Sequence, residues 1–447
     1  MARLGNRLAI WMNGQFVGTW ERGATADTLE YDPAWVDSPA GRPLSLSLPT
    51  ARGHGRRIIP LRSPAVAAWF QNLIPDNDRI LGRIAARYGT ASTSAFDLLA
   101  AIGRDCAGAV QLLPPDADPG DIRRIEAEPL DEAGIARRLR QATMSGPRAD
   151  ADEEDFRLSI AGAQEKTALL LHEGRWCAPH GATPTTHIFK LPLGLVGNLR
   201  ADLHQSVELE WLCMEFVREC GLPVAETRIG RFEDQVALVV TRFDRELSPD
   251  GHWWMRIPQE DLCQAMGVAP SMKYEADGGP GTHAIMDLLR ASVNAEEDRR
   301  HFFAAQLLFW ILGATDGHAK NFSLRLLPRG EFRMTPLYDV LSTYPIQGRG
   351  PGRLDPRRAK MAMAVSGSNR HYRLHDIHRW HWVAMGERMG VPDPPGIVAE
   401  TIARATTALE RVASRLPEDF PAALLEAVDT GVKAALRRIG SEPDVRA

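Results

Sequence analysis

Apolar and polar positions alternate over short segments in the front half of the chain and recur every third or fourth residue in the back half. The pattern predicts a sheet-rich part followed by a helix-rich part. Residues 9–12 and 15–18 flank Asn13-Gly14, a dipeptide whose two positions both accept positive φ, so the chain is expected to open as a tight β-hairpin. Strands are also expected at 44–48 and 109–113, and helical stretches at 64–86, broken at Pro75, and at 93–102. Residues 143–155 lack apolar periodicity and predict an exposed connection, and a domain boundary is placed there. Beyond it, β-prone segments at 156–160, 167–171, 187–191, 224–229 and 235–240 are interrupted by one amphipathic helix over 206–220, which predicts an antiparallel sheet with a packed helix. Helices at 259–266, 283–291, 296–314, 380–389, 397–416 and 420–439 then dominate, with two short strands at 322–326 and 331–334 forming a hairpin.

A chain of 447 residues suits two or three packed domains and has the volume to enclose a cleft. Its 53 basic and 57 acidic residues leave a net charge of −4, which gives no global attraction to nucleic acid or membrane and leaves only local basic patches for such contacts. The five cysteines, Cys106, Cys177, Cys213, Cys220 and Cys263, form no CxxC pair, and the chain does not open with a basic segment followed by an apolar one. A reducing cytoplasm is the expected location. The longest nearly apolar run, 302–314, falls short of the about 20 residues a membrane span needs and predicts a buried helix.

The candidate chemistry centres on Gly313-Ala314-Thr315-Asp316-Gly317-His318-Ala319-Lys320-Asn321-Phe322-Ser323, directly after that apolar run. An aspartate followed five residues later by an asparagine is the spacing by which kinase-like phosphotransferases hold a proton acceptor and a metal ligand on one short loop. Asp316 is the candidate carboxylate at the attacking hydroxyl and Asn321 a neutral oxygen ligand for magnesium. Asp339, in Pro336-Leu337-Tyr338-Asp339-Val340, is the candidate anionic ligand. Taken singly, either aspartate could equally cap a turn or sit exposed on a loop; the joint spacing favours the ligand reading.

Lys190 lies among apolar neighbours in His187-Ile188-Phe189-Lys190-Leu191, so a buried ammonium there needs a partner. On the following helix, Leu209, Leu212, Cys213, Phe216, Val217 and Cys220 form a stripe with Glu210 at its margin, where it can face the sheet beside Lys190. This is the strand-lysine and helix-glutamate arrangement by which protein kinases hold ATP phosphates. The alternative is an exposed helix acid and a snorkelling lysine. The segment Leu158-Ser159-Ile160-Ala161-Gly162-Ala163-Gln164-Glu165-Lys166-Thr167 puts small residues in a turn between strands, where backbone N–H groups can approach a phosphate. It does not match GxxxxGK[ST], and read alone such a turn is more often a plain hairpin.

Several segments together resemble the HipA-type serine/threonine kinases, toxins of bacterial type II toxin–antitoxin pairs. They are Ser159 to Leu170, Thr183-Pro184-Thr185-Thr186-His187 leading to Lys190, Arg242-Phe243-Asp244-Arg245, Pro258-Gln259-Glu260-Asp261, Lys273 to Gly281, and the Asp316 to Ser323 loop. The similarity runs over residues 155–345 in the family's order. It implies an α+β, two-lobed, protein-kinase-like fold: an extra N-terminal α+β subdomain over 1–145, a sheet-rich nucleotide-binding lobe over 156–250 and a helical catalytic lobe over 251–447. It implies ATP and Mg2+ as cofactors, with Lys190 on the phosphates, Asp316 as catalytic base, Asn321 and Asp339 on magnesium, and Ala161, Gly162, Ala163, Gln164, Glu165 and Lys166 covering the triphosphate. Thr241 and Phe243 would lie at the adenine, although an acidic residue is expected at Thr241 in some relatives. His318, two after the base as in the Asp-x-His-x-x-Asn loops of sugar and antibiotic phosphotransferases, would orient the loop or touch a phosphate.

The resemblance further implies autophosphorylation at Ser159 that switches the kinase off, an aminoacyl-tRNA synthetase as protein substrate (the glutamate enzyme favoured), and a helix-turn-helix antitoxin of the HipB kind that carries the chain to operator DNA. The basic stretch Arg349, Arg353, Arg357, Arg358, Lys360, Arg370 and Arg373 is open to two readings, a solvated loop or a docking surface for substrate or DNA. Two rival functions stay in view. One is a small-molecule phosphotransferase, which would share the Asp316–Asn321 loop; the other is a non-catalytic co-repressor partner of the antitoxin.

Overall fold

The computed structural model describes residues 5–52, 58–144, 158–159, 161–162, 164–197, 199–367 and 369–444. Asn13 and Gly14 take positive φ, 45° and 74°, and turn strand Arg7–Met12 back on Gln15–Glu21 with Met12 opposite Gln15. That hairpin lies within a five-stranded antiparallel sheet whose order is Leu61–Arg62, Thr28–Tyr31, Gln15–Glu21, Arg7–Met12, Val110–Leu113. Helices Pro64–Gln71, Asp78–Tyr88 and Ala95–Ile102 cover its apolar side. Trp20 stacks on Phe70 at 3.8 Å between ring centroids and meets Phe96 edge-on at 5.0 Å. The expected strand at 44–48 is absent: only an isolated bridge joins Ser45 to Leu48, because the side chains of Ser45 and Ser47 turn to the Gln264 carbonyl of the helical lobe.

A second, six-stranded antiparallel sheet runs Thr227–Phe232, Gln235–Thr241, His187–Lys190, Lys166–His172, Arg175–Pro179, Ala127–Pro129. Side chains alternate across a strand, and here the two faces have different partners. Phe189, Ala237 and Val239 point to helix Glu132–Thr143, whereas Leu238 and Val240 belong to the core shared with helix Ser206–Glu219. Residues 127–143 therefore join this lobe, although the sequence places them in the first subdomain. Residues 145–157, which hold most of the boundary expected at 143–155, lie outside the described residues, and the chain leaves the first sheet after Leu113, through the Pro- and Asp-rich stretch 114–126. Of the strand expected at 156–160, Leu158–Ser159 is described and pairs in parallel with Asp105–Cys106.

The third part is built around helix Ala295–Leu312, buried along most of its length and enclosed by Thr282–Leu288, Arg379–Met389, Pro394–Ala413 and Ala422–Gly440. Gly313, in the left-handed region at φ 60°, ends the central helix. The hairpin Ser323–Leu326 with Phe332–Met334 forms as expected. The helix expected at 259–266 does not: Gln259–Asp261 is a strand paired with Ser323–Leu326, and only Leu262–Ala265 is helical. Asp261 caps that helix through a reciprocal box with Gln264, so the cap residue lies inside what the apolar period reads as one helix. A hairpin of Lys360–Ser366 and Arg370–Arg373 occupies the basic stretch. No helix among the described residues is long and apolar enough to cross a membrane.

Candidate active site

Strand alternation that sends Phe189 to one face of the sheet sends Lys190 to the other, toward helix Ser206–Glu219. There the Lys190 ammonium donates to Glu210 Oε1 at 2.5 Å and to Asp339 Oδ1 at 2.7 Å. Burial opposes the charge of Lys190, but the Asp339 and Glu210 carboxylates outweigh it and raise its pKa. Burial lifts Glu210 above the usual carboxylate range, with Lys190 pulling the other way. Partial enclosure by the cleft walls opposes the charge of Asp339, but Lys190 and Lys166 outweigh it and hold the carboxyl well below the usual carboxylate range. Its backbone sits at φ 63°, an unusual conformation for a residue with a side chain, and its carboxylate is 45% exposed to the cleft.

Asn321 lies across the cleft and donates from Nδ2 to Asp339 Oδ2 at 3.0 Å. Its Oδ1 is buried with no hydrogen-bond partner. An orphaned amide oxygen beside a carboxylate fits an oxygen-seeking dication such as Mg2+, which takes one or two protein ligands and completes its shell from phosphates and water. Among the described residues no group of three or more His, Cys, Asp or Glu could hold a metal ion.

Asp316, five residues earlier, stands at the mouth of the cleft with its side chain 65% exposed. Its Oδ1 accepts a 2.6 Å hydrogen bond from the Tyr274 hydroxyl. His318 is buried, its Nε2 4.0 Å from Asp316 Oδ2 and its Nδ1 unpartnered. Burial lowers its pKa, so a neutral imidazole faces the cleft at neutral pH. Its ring meets Tyr274 edge-on at 5.0 Å, a packing contact consistent with orienting the loop.

A cleft of about 190 Å³ is lined by Lys190, Glu210, Asp316, His318, Asn321 and Asp339 together with Ala161, Gly162, Lys166, Thr241 and Phe243. Residues spread over 179 positions of sequence thus share one cavity. Gly162 sits at φ 110°, a conformation open to glycine, and Lys166 Nζ reaches back to donate to Ala161 O at 2.6 Å. Burial and the neighbouring Lys190 lower the Lys166 pKa from 10.5 to about 8. At the end of the cleft formed by Thr241 and Phe243, the N–H groups of Thr241 and Arg242 are donated to Glu226 O and Thr186 O, and Phe243 packs against Tyr338 at 5.8 Å.

Other expected positions fall elsewhere. Gln164 donates to Leu191 O and Glu165 pairs with Arg83, and both side chains line a separate cavity behind the turn. Ala163 lies outside the described residues. Ser159 is fully buried, and its hydroxyl donates to Leu73 O at 2.8 Å. The basic side chains from Arg349 to Arg373 are exposed and line no part of the cleft.

The cleft also holds residues to which sequence reasoning gave no role, Asp76, Asp261, Lys273 and Lys320, and Tyr274 bonds Asp316 beside it. Tyr274 and Lys273 stand in a segment quoted for its resemblance, which was the available signal. Asp76 carried none. Arg242, Asp244 and Arg245, also in a quoted segment, form a buried ion network with Asp105 and Arg256 that ties the first subdomain to the sheet-rich lobe.

With this geometry in place, comparison with known proteins decides the family. Residues 158–418 match the family model described as the HipA-like C-terminal domain, and residues 8–113 match the HipA N-terminal domain. The chain belongs to the HipA-like family. It is 33% identical over 419 residues to Y4mE of Sinorhizobium fredii, covering 92% of each chain. It is 28% identical over 432 residues to the serine/threonine-protein kinase toxin HipA of Shewanella oneidensis, covering 94% of this chain and 89% of that one. A solved complex of Shewanella oneidensis HipA, HipB and operator DNA contains a chain with the same fold, at a TM-score of 0.78 and 24% identity over 98% of this chain and all of that one. This HipA-like chain is a kinase with an α+β architecture, and the lysine–glutamate pair and the Asp316–Asn321 loop line its one cleft.

Proposed function

We propose that the chain is an ATP- and Mg2+-dependent serine/threonine protein kinase that acts as a growth-arresting toxin. The observation that carries this reading is the convergence of Lys190, Asp316, Asn321 and Asp339 on one cleft, with the orphaned Asn321 oxygen beside the Asp339 carboxylate. In this reading Lys190, fixed by Glu210, and Lys166 hold the triphosphate, and Ala161 and Gly162 of the turn cover it. Asn321 and Asp339 would hold magnesium, which when bound neutralises charge on the phosphates. Asp316 takes the hydroxyl proton of the acceptor serine or threonine as its oxygen bonds to the terminal phosphorus, and the bond from that phosphorus to ADP breaks.

The toxin's substrate is a protein of translation, an aminoacyl-tRNA synthetase and by preference the glutamate enzyme. Its restraint is twofold, autophosphorylation at Ser159 and a helix-turn-helix antitoxin that brings it to operator DNA. Similarity to the Shewanella serine/threonine-protein kinase toxin along almost the whole chain supports the toxin reading. So does the fold shared with a chain solved together with HipB and operator DNA. With Ser159 buried against Leu73, its modification requires strand Leu158–Ser159 to leave Asp105–Cys106.

Incubation with labelled ATP, Mg2+ and cell extract tests the proposal. Wild-type chain is expected to label a polypeptide and Asp316→Asn to label none. Label confined to a small molecule would establish the metabolite-kinase alternative, and growth arrest undiminished by Asp316→Ala would establish a non-catalytic partner of the antitoxin.

A further inference from the structure

The turn between helices Pro64–Gln71 and Asp78–Tyr88 belongs to the first subdomain, yet it reaches the cleft of the other two parts. Asp76 in that turn is largely enclosed, its side chain 10% exposed. Its two oxygens go to different segments of the helical lobe: Oδ1 accepts from Lys320 Nζ at 2.7 Å and Oδ2 from Lys273 Nζ at 3.1 Å. Lys320 lies on the loop between Asp316 and Asn321. Lys273 immediately precedes Tyr274, whose hydroxyl holds Asp316 Oδ1. One carboxylate thus fixes both the loop that carries Asp316 and the segment that clamps it.

The far side of the clamp is fixed as well. Glu275 accepts from the Ala364 N–H at 2.6 Å, so Lys273-Tyr274-Glu275 is held at one end by Asp76 and at the other by the hairpin Lys360–Ser366. The first subdomain supplies a complete lattice of contacts around this point. Asn72 donates to Val268 O at 2.8 Å, and Glu260 accepts from Leu46 N at 2.9 Å and Trp69 Nε1 at 3.2 Å. Asp76 is therefore seated on a rigid frame, which is what a positioning group requires.

We infer that Asp76 is a positioning residue for phosphoryl transfer, contributed by the first subdomain, which orients the Asp316 carboxylate through Lys273-Tyr274 and through Lys320. The inference rests on Asp316 being the base of the proposed reaction. It separates two roles on one carboxylate: Tyr274 occupies Oδ1, and Oδ2, 4.0 Å from His318 Nε2, is left for the acceptor hydroxyl. Misplacing a base by about 1 Å can cost on the order of a hundredfold in rate, and such a loss falls on turnover rather than on nucleotide binding.

The test is a double-mutant cycle on the full chain with Asp76→Asn and Tyr274→Phe, reading kcat, KM for ATP and thermal stability. Each single variant is expected to lower kcat about ten- to a hundredfold with KM for ATP within about twofold, and the pair to lose less than the product of the two, since both act on the placement of the Asp316 carboxylate. Additive losses, or a change confined to KM for ATP, would overturn the inference. If Asp76→Asn does not fold, Lys273→Gln, which breaks only the Oδ2 arm, takes its place in the cycle with the same expected and overturning results. Absence of transfer by the wild-type chain would count against the proposed function. Wild-type transfer with normal turnover by Asp76→Asn would count against this inference alone.

Discussion

Lys190 and Asp339 are 149 residues apart in sequence and joined by a 2.7 Å ion pair inside the cleft. The same ammonium reaches Glu210 at 2.5 Å, so one cation links sheet, helix and the segment after the catalytic-looking loop. Removing it strands a buried carboxylate, because the Glu210 side chain is only 4% exposed. Lys190→Met is expected to abolish nucleotide binding and to destabilise the fold by about 3–5 kcal/mol. Adding Glu210→Leu should recover most of that stability, since a buried ion pair can be replaced by apolar groups at little cost, without restoring binding. Chemical denaturation read beside nucleotide titration separates the two effects.

Lys166 makes a pH prediction. Burial and Lys190 bring its pKa from 10.5 down to about 8, so the folded, unliganded chain sheds this proton before the unfolded chain does. The group therefore opposes folding below about pH 8, and stability rises with pH between there and 10.5. Nucleotide binding has the opposite trend, because phosphates select the charged ammonium. Affinity for ATP should fall as pH rises through about 8, by up to about tenfold per unit. Lys166→Arg, which stays charged, should flatten that decline in titrations from neutral to alkaline pH.

The metal assignment has its own readout. Asn321 Oδ1 is buried and unpartnered, and Asp339 opens on the same space. Chelation with EDTA is expected to weaken ATP binding by the wild-type chain and to leave Asp339→Asn unaffected, that variant already binding ATP weakly. Turnover of Asp339→Asn should drop at least about a hundredfold. A nucleotide titration with and without Mg2+ checks both statements, and equal Mg2+ dependence in the two proteins would remove Asp339 from the metal site.

Ser159 predicts a variant that separates activity from self-control. Its hydroxyl gives one buried hydrogen bond, to Leu73 O, so Ser159→Ala should cost about 1 kcal/mol and leave kinase turnover intact. The proposed autophosphorylation would be missing from it. A phosphate of about −1.5 to −2 charges has no room at a fully buried position, so the phosphorylated wild-type chain should show faster amide exchange at residues 158–159. Phosphopeptide mass spectrometry with hydrogen exchange reads both.

How much of this was legible in the chain follows physical lines. Lys190 and Glu210 could be placed together because strand alternation and a helical stripe each determine a facing direction from local spacing. The Asp316-to-Asn321 loop was equally visible, since a left-handed glycine ends the long apolar helix just before it. Asp76 was not, because its role depends on how the first subdomain meets the helical lobe, and no spacing encodes that. Strand Gln259–Asp261 read as helix for a related reason: its conformation is decided by pairing with Ser323–Leu326, 62 or more residues away. The transfer of residues 127–143 to the second sheet was hidden as well, because it is decided by the pairing of Ala127–Pro129 with Arg175–Pro179, 48 or more residues away.

Asp105 offers the sharpest test of how those parts are held together. It lies in the first subdomain, and its carboxylate accepts from Thr185 N at 3.0 Å, Thr185 Oγ1 at 2.7 Å and Arg245 NH2 at 2.8 Å, with Arg242 at 3.3 Å and Arg256 at 3.4 Å. Burial opposes its charge, but Arg245, Arg242 and Arg256 outweigh burial and hold it well below the usual carboxylate range. Its stabilising contribution is then complete above about pH 4 and is lost as pH falls below the unfolded-state value. Asp105→Ala leaves three buried guanidinium groups short of an anion and should destabilise the chain by about 3–5 kcal/mol at neutral pH. Asp105→Asn keeps hydrogen-bond capacity and should cost less. Because Arg242 also closes on Asp244 at 2.8 Å, the loss should uncouple the first subdomain before the sheet-rich lobe unfolds, giving a biphasic denaturation curve where the wild-type chain gives one transition. A single transition with an unchanged midpoint in Asp105→Ala would show that apolar packing, and not this network, joins the two.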